Sequence, residues 1–218
     1  MNVNLSEQLS ETDIIKRIVE NGEKSLYEII IRRFNPYLYK IGRSYNYNHE
    51  DTQDLMQDTF IDAYKHLSKF EGRADFKTWI VRIMMNNCYR KKEKLSFKNE
   101  KIMQDVHEQS KPLFVSQNNT GKVVHNKELG SIIEDALSKI PNDYRITFSL
   151  REINGFSVAE TADLLNITES NVKIRLNRAK SMLRDELTKS YSYKELYEFN
   201  LIYCDAIVEN VMKKINEL

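Results

Sequence analysis

The stretch from Ser157 to Leu183, SVAETADLLNITESNVKIRLNRAKSML, leaves little room for any fold but a tight pair of helices. Ser157 is placed to cap a helix whose third residue, Glu160, can reach back to close a capping box. Val158, Ala162 and Leu165 then recur at helical spacing. Asn166 ends the run with a residue that tolerates left-handed geometry, and Thr168 supplies the next N-cap. From there Val172, Leu176, Ala179 and Leu183 form one apolar stripe. The opposite side of this second helix carries Glu169, Ser170, Lys173, Ile174, Asn177 and Arg178, flanked by Arg175, Lys180 and Arg184. A short helix, a three-residue corner and a longer basic helix fit the DNA major groove, where Arg, Lys and Asn read base edges or bind phosphates. An αα-hairpin with a solvated polar face is the bland alternative.

Charge distribution argues beyond the hairpin. Lys+Arg and Asp+Glu nearly cancel, 33 against 32, yet they are sorted along the chain. From His49 to Asp62 the acids Glu50, Asp51, Asp54, Asp58 and Asp62 occur with no Lys or Arg, whereas Arg73 to Lys101 is strongly basic. Two different partner surfaces follow from that sorting.

The chain is expected to be all-α, two small helical domains joined by a flexible linker. Its three prolines and six glycines among 218 residues are too few for a turn-rich fold. Thr12 to Tyr45 reads as a helical pair broken at Asn21-Gly22, with Ile14, Ile15, Ile18, Leu26, Ile29, Ile30 and Phe34 as its apolar positions. Asp51 to Leu67 reads as a helix with Met56, Phe60, Ala63, Tyr64 and Leu67 inward. Lys77 to about Lys92 reads as another, with Trp79, Ile80, Ile83 and Met84 on its apolar side. Residues 98–126 are polar and aperiodic, the composition of a linker. A second helical domain is expected over 127–190, and a tail with a stripe of Cys204, Ile207 or Val208, Val211 and Ile215 over 191–218.

Several function classes lose support on composition. Cys88 and Cys204 stand alone without a CxxC pair, which favours a reducing, cytoplasmic compartment. The four histidines, His49, His66, His107 and His125, lack metal-ligand spacing, so no metal site and no cofactor are expected. No glycine-rich phosphate loop or nucleophile–base pair points to an enzyme.

With these segments in view, the chain resembles an extracytoplasmic-function sigma factor of the sigma-70 family. DTQDLMQDTFIDAYKHLSKFEGRADFKTWIVRIMMNNCYRKKEK, from Asp51 to Lys94, looks like region 2. ALSKIPNDYRITFSLREINGFSVAETADLLNITESNVKIRLNRAKSMLRDEL, from Ala136 to Leu187, looks like region 4. The resemblance implies core-polymerase docking and −10 recognition by residues 1–97, and −35 recognition by residues 127–190. Asp54, Gln57, Asp58 and Ile61 are implied to dock on the clamp helices of the largest polymerase subunit, while the flap of the second largest subunit is a further partner. Phe70, Arg73, Phe76, Arg82, Asn86, Tyr89, Arg90 and Lys91 are implied to meet the −10 element, Asn86 in a pocket for an extruded base. Thr168, Ser170, Lys173, Ile174, Arg175, Asn177, Arg178 and Lys180 are implied to meet −35 DNA. Promoter DNA is thus an implied partner, and an anti-sigma factor is a candidate one. Trp79 is read as core rather than as a melting wedge. The competing reading is a helix-turn-helix regulator that binds duplex DNA without polymerase, and it leaves Asp51 to Lys94 unexplained.

Overall fold

The computed structural model describes residues 9–99, 130–190 and 212–213. Most of the expected linker, all but two residues of the C-terminal extension, and Cys204, His107 and His125 lie outside the described residues. Everything regular that is described is helical.

Local chemistry sets the helix ends. In α1 (Glu11–Asn21) the Ser10 side chain accepts from the Asp13 N–H, and Gly22 ends the helix in the left-handed region at φ 70°. Helix α2 (Tyr27–Ser44) follows a single 3-10 turn and carries Pro36 in its interior. Helix α3 (His49–Lys65) begins at Asn48, whose side chain accepts from the Asp51 N–H at 2.7 Å. Helix α4 (Phe76–Asn99) runs past the expected end near Lys92.

These four helices share one core of Ile14, Ile30, Phe34, Leu38, Ile41, Leu55, Phe60, Ile80, Val81 and Met84 among others. Each fully buried aliphatic or aromatic side chain of this kind contributes roughly 1.5–3 kcal/mol of transfer free energy. The inward faces differ in part from the sequence reading. In α3 the buried stripe is Thr52, Leu55, Thr59, Phe60 and Ala63; Met56 and Tyr64 sit at its edge. Thr59 is tolerated there because its hydroxyl donates to the Leu55 carbonyl at 2.6 Å and lies 3.2 Å from the Met84 sulfur. In α4 the centre of the apolar face is Ile80, Val81, Met84 and Cys88, with Trp79 and Ile83 only partly buried.

The second unit comprises α5 (130–138), α6 (Asn142–Phe148), a π-helical turn at Ser149–Ile153, α7 (Val158–Leu165) and α8 (Glu169–Ser190). Ser157 and Glu160 form the reciprocal capping box expected of them. Asn166 turns the corner at φ 53°, ψ 48°, and the Asn171 N–H donates to the Thr168 hydroxyl. Val172 and Ala179 are fully buried.

The two units are not separate bodies. Ile146, Leu150 and Phe156 of the second belong to the same buried cluster as the first. Arg145 is buried and bonds five oxygens: the carbonyls of Ser44, Leu137, Ser138 and Ile140 and the side chain of Asn142. Ser44 is the last residue of α2 and Ser138 closes α5, so the guanidinium caps two helix C-termini at once. Burial brings its pKa down to about 10. Arg43 pairs with Glu134 in a second, nearly solvent-free contact between the units.

Candidate DNA and polymerase interfaces

Three surfaces carry the residues singled out in the sequence. The first lies between α2 and α3. A groove of about 680 Å³ is lined by Ile31, Asn35, Pro36, Tyr39, Gln53, Met56, Gln57, Phe60 and Ile61. Asp54, Gln57 and Asp58 are exposed along its α3 side, and the Ile61 side chain is 52% exposed, unusual for a residue this apolar. The groove thus offers an apolar floor with an acidic margin. Its α2 wall was not foreseen. Ile31, Asn35 and Tyr39 recur every four residues, so a helical wheel would have shown them as a second stripe beside the core positions Ile30, Phe34 and Leu38.

The second surface is the outer face of α4. Arg82, Asn86, Tyr89 and Arg90 are all exposed on it, Tyr89 to 59%. A hydrogen bond to Glu93 raises the Tyr89 pKa above the ordinary phenol value. Lys91 is turned aside: its ammonium meets Asp51 at 2.5 Å and sits over the Tyr47 ring. Arg73 is exposed in the loop and pairs with Glu71. Phe76 requires a correction. It is 3% exposed and its ring packs 5.3 Å from each of Phe34, Phe70 and Trp79, so its side chain is core and offers nothing to a base. Phe70 is partly buried in the same cluster, at the margin of the loop. Four aromatics at this spacing cohere because edge-to-face and tilted ring pairs add to plain burial.

The third surface is α8. Thr168, Ser170, Lys173, Ile174, Asn177, Arg178 and Lys180 are exposed, and Ile174 stands 51% exposed among them. Arg175 is half-buried and pairs with Asp143 at 3.1 Å; Lys180 meets Glu152 at 2.9 Å; Arg178 donates to the Tyr144 hydroxyl at 3.3 Å. The outer face of α8 therefore keeps Lys173 and Asn177 open, while three cations are tethered to the α6 side of the unit.

The comparisons with known proteins correspond to this division. The family model for sigma-70 region 2 matches residues 30–97, spanning most of α2 to α4, and that for sigma-70 region 4 matches residues 131–183, spanning α5 to most of α8. The ECF RNA polymerase sigma-E factor of Haemophilus influenzae is 25% identical over 191 residues, covering 84% of this chain and 98% of that protein. The factor of the same name from Escherichia coli K12 is 25% identical over 189 residues, covering 84% and 97%. The chain belongs to the sigma-70 family, in its extracytoplasmic-function class.

Two solved structures share the fold of this sigma factor. The sigma factor RpoE in complex with the anti-sigma factor NepR from Bartonella quintana superimposes with a TM-score of 0.60 at 22% identity, covering 74% of this chain and 96% of that one. CnrH in complex with the cytosolic domain of CnrY gives 0.56 at 21% identity, covering 82% and 97%. Among the described residues of the sigma factor, no helix is long and apolar enough to cross a membrane.

Proposed function

We propose that this sigma factor binds core RNA polymerase, directs it to specific promoters and promotes DNA-templated initiation, acting in the cytoplasm and by binding alone rather than as an enzyme. One observation carries the reading: a single chain pairs an apolar groove with an acidic margin and a basic helix-turn-helix, in segments matched by the two sigma-70 region models. A regulator that needed only duplex DNA would have no use for the groove.

In this reading the clamp helices of the largest polymerase subunit lie in the α2–α3 groove. Ile61 supplies apolar contact while Asp54, Gln57 and Asp58 meet basic and polar groups. The flap of the second largest subunit engages the second unit. Arg73, Arg82, Asn86, Tyr89, Arg90 and Lys91 serve the −10 element, with Phe70 at the loop margin. Asn86 bonds an extruded base, Tyr89 stacks and the cations neutralise phosphate. Thr168, Ser170, Lys173, Ile174, Arg175, Asn177, Arg178 and Lys180 serve the −35 element, where Asn177 and Arg178 can read base edges and Ile174 can meet a thymine methyl. Arg175, Arg178 and Lys180 must exchange their present partners for DNA. An anti-sigma factor is a further partner, competing for these surfaces. Run-off transcription with core polymerase on a genomic fragment library tests the whole assignment. Discrete transcripts that require this chain are expected; transcription unchanged by its addition refutes it.

A further inference from the structure

Helix α8 does not offer all its cations to DNA on equal terms. Lys173 is exposed and makes none of the described ion pairs. Arg178 is held by a hydroxyl, that of Tyr144 at 3.3 Å. Arg175 and Lys180 are held instead by carboxylates, Asp143 at 3.1 Å and Glu152 at 2.9 Å. Both acids come from the segment just before the helix-turn-helix. Asp143 lies in the first turn of α6, which packs on α8, and Glu152 in the π-helical turn that follows α6. The step of five residues from Arg175 to Lys180 turns about 140° around the helix, so the two tethers sit on different flanks of it. The open residues Lys173 and Asn177 belong to neither pair.

A carboxylate competes directly with a phosphate for a cation, since both offer anionic oxygens to the same donors. An exposed ion pair favours its paired state by at most about fivefold. That is little against a well-fitted DNA complex, but it is enough to decide a loose one. Binding to arbitrary duplex is almost wholly electrostatic, and each phosphate neutralised adds about 0.9 to the steepness of log K against log salt. A loosely seated duplex presents its phosphates at poor geometry, so both tethers hold and two contacts are not made. A duplex whose base edges suit the outer face of α8 is drawn into register, and its phosphates then displace the acids. We propose that Asp143 and Glu152 are specificity-determining residues of the −35 surface. They withhold Arg175 and Lys180 from duplex of the wrong sequence and yield them only to DNA that α8 already fits. Discrimination of this kind acts against the wrong duplex rather than for the right one, and neither acid needs to touch DNA.

This inference rests on the −35 role proposed for α8, and the test separates the two. Holoenzyme assembled from core polymerase and the full chain is bound to two fragments. One is a promoter obtained by run-off transcription, and the other is the same fragment with its −35 element scrambled. Contacts outside that element are shared, so the difference between the fragments belongs to α8. Salt dependence is measured on both with the parent chain, with Asp143→Asn/Glu152→Gln and with Asp185→Asn. Asp143 and Glu152 are exposed and a carboxamide keeps the shape of the acid, while Asp185 is an exposed acid of α8 outside the described ion pairs. For the parent, the intact promoter is expected to give the steeper slope, by about 2. In the double variant the scrambled fragment should gain that slope while the intact promoter keeps its own. Discrimination between the fragments should fall at least about threefold. Asp185→Asn should preserve both the gap and the discrimination. With Arg175 and Lys180 also replaced by alanine, the two carboxamides should change neither slope. An unchanged gap in the double variant, or equal steepening on both fragments, overturns the proposal and leaves the −35 role standing. A parent holoenzyme that binds both fragments alike, with one slope, overturns the −35 role and the proposal with it.

Discussion

Gly42 shows how little slack the first unit has. A Cβ built there would lie 2.6 Å from Thr52 Cγ2 and 3.0 Å from Met84 Cε, so α2, α3 and α4 meet at a point where only hydrogen fits. Thr52 is β-branched and stiff at χ1, so it cannot swing aside cheaply. Gly42→Ala should therefore destabilise the fold by about 1–3 kcal/mol despite the better helix propensity of alanine. Adding Thr52→Ser, which deletes the offending methyl, should restore part of the loss. Urea unfolding of the single and double variants measures both; no recovery in the double variant would assign the cost elsewhere. Arg145 is a second residue whose shape matters beyond its charge. A lysine at that position keeps the cation but cannot fork across carbonyls from three segments, so Arg145→Lys should cost about 1–3 kcal/mol in the same assay.

At the scale of elements, the groove between α2 and α3 makes a prediction of its own. Asp54 and Asp58 are exposed and make none of the described ion pairs, so reversing both to lysine should leave the circular dichroism spectrum unchanged. Core-polymerase pull-down should fall sharply in the same variant, because charge complementarity across an interface is inverted. Helix α4 makes another. Asn86→Ala should impair open-complex formation more than initial binding, and a template mismatched at the −10 element should recover part of the loss, since unstacking is then cheaper. Permanganate footprinting reads this out, and Arg178→Ala should show no such rescue. The capping box of α7 was legible in the sequence because Ser157 and Glu160 act over three residues and need nothing from elsewhere. The left-handed Asn166 corner was legible for the same reason. Thr52 and Thr59 were not, because a polar residue becomes core only when a partner helix supplies its close contacts. Phe76 was misread because it sits beside a loop that looks solvent-facing until Phe34 and Trp79 close over it.

For the whole molecule, the contact between the two units was the part the sequence concealed. Phe156 lies in a short Asn154-Gly155-Phe156 loop and Arg145 in an ordinary amphipathic helix, and neither position signals burial against distant residues of the first unit. Burial also sets how the assembled chain responds to alkali. The Cys88 thiol is pushed up from 9.0 to about 12 by desolvation, and burial raises the tyrosines Tyr27, Tyr45 and Tyr47 as well. For such acids the neutral form is the one the fold favours. Their contribution is complete below the unfolded pKa and is lost as pH climbs through the folded value. The melting temperature should hold up to about pH 9 and then fall steadily toward pH 12, and Cys88→Ala should flatten the early part of that fall. A melting temperature that rises across this window would contradict the assignment.

Arg145 grips the two units unequally. Four of its five oxygen partners lie in the second unit, and only the Ser44 carbonyl belongs to the first. The guanidinium is held chiefly by the carbonyls that shape α5 and the turn after it, and it reaches the first unit through one acceptor. Four of the five bonds of this cluster are thus internal to the second unit, and the guanidinium shapes that unit whether or not the fifth is made.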